Sequence, residues 1–165
     1  MKNQGWENFF KRLHGPVYTT LVRDFWIHAL SDEHYVISDV KGKRVVISEK
    51  SIVVLLGMKL NKGKRVHSMS NKTDFLKQRV IPTIYTQRSD EKAKPKATEL
   101  FNHLRIWLKI ILGCIHTRSS TSSSDFANTD QKYMLYFLKE GIKMDLPFIL
   151  FNFLRDSVKE FRDKP

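Results

Sequence analysis

Residues 100–118 read LFNHLRIWLKIILGCIHTR, and residues 126–154 read FANTDQKYMLYFLKEGIKMDLPFILFNFL. In both stretches apolar residues recur at spacings of three and four, the period of a helix rather than the period of two of a strand. In the first, Leu100, Leu104, Trp107, Leu108, Ile111 and Ile115 share one stripe, and Ile106, Ile110 and Cys114 share another. A helix apolar around most of its circumference belongs at the centre of a core. Pro95 is placed to open it. In the second stretch, Asn128 and Gln131 have the spacing of a capping box. Tyr133, Met134, Phe137 and Leu138 supply the apolar contacts, and Gly141 a stop. Asp145 and Pro147 then start a last helix, on which Phe151, Leu154, Val158 and Phe161 fall at heptad spacing. Two heptads are short for a coiled coil, so that stripe is expected to pack within its own domain. The Ser/Thr run from Thr117 to Ser124 is too polar to pack and reads as an exposed linker.

Working outward, Trp6, Phe9, Phe10 and Leu13 mark a short amphipathic helix over 5–13, ended by Gly15-Pro16. Residues 17–30 predict a second helix, with Leu21, Phe25 and His28 or Ala29 as its stripe. Ser31 to Glu33 is polar and breaks the pattern. From Tyr35 to Ile47 β-branched residues flank Lys41-Gly42, which predicts a β-hairpin. Ser48 is then a helix cap with Glu49 favourable in the first turn, and Gly57 closes that helix. Residues 71–80 predict one more short helix, with Pro82 just beyond its end. The expected fold is mostly α: six or seven helices around one core, with a small hairpin near 35–47. Trp26, Ile52, Leu55, Leu104, Trp107, Leu108, Ile111, Phe137, Phe151 and Leu154 are the expected core. Exposed loops are expected near 59–70, 86–96 and 117–126. The chain is expected to be a single domain and a fragment of a longer polypeptide.

Composition narrows the function classes. With 165 residues, 41% hydrophobic and 12% aromatic, the chain can bury a core, which excludes wholesale disorder. Its single Cys114 forms no internal disulfide and favours a reducing compartment. No apolar run reaches the ~18 residues of a membrane span, and Trp6 to Leu13 is too interrupted by charge for a signal peptide. Cytosol or nucleus is the expected location. The net charge is +12, and residues 59–118 hold 14 Lys and Arg against 4 Asp and Glu. Charge concentrated in this way suits an anionic partner.

Three segments together resemble a known family: GWENFFKRLHGPVYTTLVRDFW at 5–26, ISDVKGKRVVISEKSIVVLLGM at 37–58, and NHLRIWLKIILGCIHTR at 102–118 with SSDFANTDQKYMLYFLKEG at 123–141. They look like the plant transposon protein domain, also labelled envelope-like protein in plant retroelement reading frames. The resemblance covers nearly the whole chain and keeps the family's segment order. It implies a mobile-element origin in a plant genome and brings no catalytic residues with it.

The basic residues Lys59, Lys62, Lys64 and Arg65, and after them Lys92, Lys94 and Lys96, can each neutralise a phosphate. They are the candidate nucleic-acid contacts; the bland alternative is a solvated loop. His103, Cys114 and His116 lack the paired spacing of a four-ligand zinc site. There is no G-x-S-x-G elbow and no Gly-rich phosphate loop. A metal-dependent nuclease would need Asp24, Asp39, Asp125 and Asp130, or others, clustered around ions about 4 Å apart. Three expectations follow, in order. The first is a non-enzymatic structural or interaction module of a retroelement-derived protein, without cofactors, acting on protein partners. The second is a nonspecific nucleic-acid-binding module. The third is a nuclease.

Overall fold

The structure is a computed structural model that describes residues 4–59, 63–66, 72–86, 94–116 and 125–163. It is mostly α with a small β part. The helices are α1 (Glu7–Arg12), α2 (Thr19–His28) and α3 (Glu49–Leu56), then α4, a continuous rod of Thr73–Phe75, Leu76–Val80 and Ile81–Ile84. α5 runs Asn102–Ile110 and continues through Ile111–Ile115; α6 is Thr129–Lys139 and α7 is Leu146–Asp163. β1 (Leu30–Ser31), β2 (Val36–Val40) and β3 (Lys43–Ile47) form one antiparallel sheet in that order. The chain divides into two compact units, residues 1–61 with 146–165 and residues 62–145.

Unit 1 is built around the expected hairpin. Val36 pairs with Ile47 and Val40 with Lys43, so Lys41 and Gly42 alone make the turn. Both have positive φ (49° and 75°), the left-handed geometry of a two-residue hairpin loop that matches strand twist. The polar Ser31 to Glu33 stretch does more than break a helix. Leu30 and Ser31 pair with Ile37 and Val36 as a third strand. Asp32 then folds the chain back by accepting the N–H groups of His34 and Tyr35, both at 2.7 Å. This ends α2 at His28, two residues before the predicted end. The hairpin is fastened to α2 by the Ser38 hydroxyl, which donates to the Phe25 carbonyl (2.8 Å), and by the Lys41 N–H, which donates to Asp24 (2.7 Å). Ala29, Val36, Phe151 and Val158 form the buried cluster, ringed by Phe25, Trp26, Ile47, Ile52 and Leu154. α3 has the predicted start and stop. Ser48 and Ser51 cap one another, and Gly57 is left-handed while the Met58 N–H returns to Val53.

Unit 2 departs further from the sequence pattern. Pro95 opens no helix: the Lys96 N–H is held by the Glu99 carboxylate (2.7 Å) in a 3-10 turn, and Leu100 is extended against Tyr85. α5 therefore starts at Asn102. Pro82 does not follow its helix but sits inside α4, directly after the π-wound Leu76–Val80 segment. A widened turn at that point accommodates the proline ring and its missing N–H. α5 is not the central helix. Leu104, Leu108, Ile111 and Ile115 are buried, but Ile106 is exposed and so is Cys114. The central element is α6, in which every residue from Gln131 to Phe137 is buried. Its Asn128–Gln131 capping box forms in both directions, at 2.8 and 3.0 Å. Phe75 of α4 stacks on Tyr133 and meets Tyr136 edge-on, and the Tyr133 hydroxyl donates to the Lys72 carbonyl.

Candidate binding site

The candidate phosphate contacts divide by environment. Lys62 and Lys92 lie outside the described residues. Lys59 ends the first stretch of unit 1 and is exposed. The others belong to unit 2, where the neighbouring stretches 67–71 and 87–93 lie outside the described residues. Lys64 is exposed, but its backbone is bonded on both sides: its N–H donates to the Lys143 carbonyl (2.8 Å) and its carbonyl accepts the Asp145 N–H (3.1 Å). Gly63 makes this crossing possible, because a Cβ there would lie 2.3 Å from the carbonyl carbon of Met144. Val66 is buried beyond it. Arg65 is engaged by the buried Asp145, Nε to Oδ2 at 3.3 Å. Lys94 lies over the Phe126 ring at 4.8 Å, Pro95 is buried, and Lys96 is exposed.

The fold adds one cation that sequence reasoning missed. The Lys64–Met144 bridge brings the exposed Lys143 beside Lys64, 79 positions away in the chain. No local pattern marks Lys143, since Glu140 and Asp145 offset it and Lys139 in the sequence. Lys139 is not part of that set: its ammonium lies over the Phe101 ring at 3.8 Å and donates to the Thr83 carbonyl.

Of the acidic residues considered for metal binding, Asp24 and Asp39 belong to unit 1, and Asp125 and Asp130 to unit 2. Asp24 accepts from the Lys41 N–H, Asp39 faces Arg44 at 3.7 Å, and Asp130 lies in the first turn of α6. Among the described residues no group of three or more His, Cys, Asp or Glu side chains is placed to hold a metal ion.

A concavity lies in unit 1, and the sequence did not reveal it. It is a groove of about 570 Å³. Phe9, Arg12 and Leu13 form one wall, and Val46 and Ile47 of β3 another. Ser51, Ile52, Leu55 and Leu56 come from α3, and Leu150 and Leu154 from α7. Leu55, placed in the core by its spacing from Ile52, is 58% exposed at this groove, as Leu13 and Val46 are by nearly half. The helical period locates a stripe; it does not say whether the chain or a partner covers it. Arg12 is the one charged residue of the lining, and it is exposed, so its head stays in water while its stem covers apolar surface. Such a lining offers contact area and shape, with no acid, base or nucleophile beside it other than the Ser51 hydroxyl. That hydroxyl is used locally, since it donates to the Ser48 carbonyl.

Among known proteins, the family model of a plant retrotransposon-related domain matches residues 2–165. No curated protein matches the chain, and no solved structure does.

Proposed function

From its membership of the plant retrotransposon-related domain family, we propose that this chain is a non-enzymatic interaction module of a retroelement-derived protein. The finer kinship to envelope-like reading frames is part of this proposal, and it rests on the order of the segments at 5–26, 37–58 and 102–141. So does action in the cytosol or nucleus, for which the single cysteine is the support. Among the described residues, no helix is long and apolar enough to cross a membrane.

The observation that carries the proposal is the groove of unit 1. Ligand and partner sites are concave, mostly apolar and few per protein. Leu13, Val46 and Leu55 are half-exposed there, and burying them against a partner is favourable by roughly 25 cal/mol per Å². The test is a titration of the folded chain with 1-anilinonaphthalene-8-sulfonate, a dye that fluoresces in apolar surroundings. Saturable binding is expected, lost in Leu55→Glu and kept in Ile106→Glu, with circular dichroism showing all three folded. Equal dye binding by Leu55→Glu and the parent would refute the groove as a contact surface.

The juxtaposition of Lys64 and Lys143 favours a second reading, nonspecific contact with nucleic acid. Fluorescence anisotropy with a labelled single strand and a labelled duplex tests it. The double variant Lys64→Glu, Lys143→Glu is expected to weaken binding equally for all sequences and to lower the slope of log affinity against log salt by about 2. A slope unchanged by the double variant excludes these two lysines.

A further inference from the structure

We infer that the outer edge of β3 takes an extended, acidic segment of a partner protein as a fourth strand, whose apolar end enters the groove. This rests on the reading of the groove as a contact surface and goes beyond it by naming the occupant.

The first argument is the edge. Among the described residues β3 has a strand neighbour on one side alone, β2. In a hairpin closed by two residues, the pair flanking the turn exchanges both of its hydrogen bonds, and bonded pairs then alternate with unbonded ones. Val40 and Lys43 flank the turn here, so Ser38 with Val45 and Val36 with Ile47 are the further bonded pairs. The N–H and C=O groups of Arg44 and Val46 therefore point away from β2. No described backbone group outside the hairpin bonds to either residue. A row of outward N–H and C=O groups is a template for one more strand.

The second argument is where the groove lies. Val46 and Ile47 are adjacent, so their side chains leave opposite faces of the sheet, yet both line the groove. One groove reaches both only at the edge of the strand or past its end. An extended chain paired along Arg44 to Val46 therefore runs on into the groove, towards Leu13 and Leu55.

The third argument is charge. Residues 41–47 hold three cations, Lys41, Lys43 and Arg44, and no acid. Arg12 is the one charged residue of the groove lining. Asp39 faces Arg44, but both side chains are more than half exposed, and such a pair is weak in water. Cations on an edge strand guard against pairing with a copy, because like charges then meet. The same cations favour an acidic strand, since opposite charges across a strand pair attract. The added segment is accordingly acidic beside Lys43 and Arg44, and apolar from Val45 onward.

Fluorescence anisotropy with labelled, end-blocked peptides tests this. The probes are Glu-Glu-Val-Thr-Val and Val-Thr-Val-Glu-Glu, one for each strand direction, with lysine replacing glutamate in the controls. One glutamate peptide is expected to bind saturably, more weakly at high salt, and the lysine peptides are not. Val46→Pro removes an outward N–H and no bond of the hairpin, the place where an edge strand tolerates proline. It is expected to weaken binding about tenfold, whereas Val46→Ala keeps the N–H and retains most of it. Circular dichroism checks each fold. Amide exchange in the parent gives a second reading that needs no variant: the peptide is expected to slow the Arg44 and Val46 amides. No binding at millimolar peptide, equal binding of the lysine peptides, a folded Val46→Pro that binds like the parent, or unslowed Arg44 and Val46 amides would each overturn the inference. If no peptide binds while the dye still binds in a Leu55-dependent way, strand addition is excluded and the groove remains a contact surface.

Discussion

Gly63 and Gly141 are both needed for the backbone, for different physical reasons. Gly141 has φ of 68° and nothing within 4 Å of where a Cβ would stand, so Gly141→Ala meets conformational cost alone, about 1 kcal/mol. At Gly63 the added carbon runs into the Met144 and Asp145 backbone at 2.3–2.6 Å, which a side-chain movement does not relieve. Gly63→Ala is expected to cost about 3 kcal/mol or more in urea unfolding; equal midpoints for the two variants would contradict the close crossing. Asp145, whose side chain is 1% exposed, is paired with Arg65 at 3.3 Å. Arg65→Met is expected to lower stability by about 2–4 kcal/mol, since a buried carboxylate loses one ion-pair partner. Asp32 supplies a pH dependence. The N–H groups of His34, then Tyr35, hold its carboxyl below the usual range. A carboxyl whose folded-state pKa is depressed contributes stability above its unfolded value, near 3.9, and loses it as pH falls through the folded value. Stability should therefore decline below pH ~3.9. Asp32→Asn keeps an acceptor oxygen and should flatten that part of the profile; an unchanged acid slope would show that this turn does not contribute.

At the scale of elements, caps and turns were legible in the sequence and centrality was not. Ser48, Gly57, Asn128–Gln131, Lys41-Gly42 and Gly141 act where local chemistry placed them, because a cap or a left-handed turn is decided by a few adjacent residues. Burial is decided by what packs on the element from elsewhere. α5 has the longer apolar run but leaves Ile106 and Cys114 outside, whereas α6, with Gln131 and Lys132 in its first turns, is covered from Gln131 to Phe137. The same limit misplaced Leu55 and hid the short strand Leu30–Ser31, which is recognisable only once its partner is known. A pair of truncations measures the contrast. Leu135→Ala, fully buried in α6, is expected to cost about 2–5 kcal/mol, and Leu55→Ala less than about 1 kcal/mol. Similar losses at both positions would contradict the exposed placement of Leu55.

At the scale of the molecule, charge and exposed apolar surface are unevenly shared. Residues 62–145 hold 16 Lys and Arg against 8 Asp and Glu, while among the described residues exposed large hydrophobics concentrate in unit 1. The charge block was visible in the sequence because it is a sum over neighbours. The apolar face was not, because it assembles from α1, β3, α3 and α7, which span most of the chain. Lys143 beside Lys64 is a smaller case of the same assembly at a distance. The proposed contact surface is this apolar groove of unit 1 rather than the basic unit. Hydrogen–deuterium exchange of the full chain with and without 1-anilinonaphthalene-8-sulfonate tests it most directly. Slowed exchange in the presence of the dye in peptides covering 46–56, with 103–110 unchanged, is the predicted result. Exchange in 46–56 unaffected by the dye, or slowing confined to residues 62–145, would contradict it.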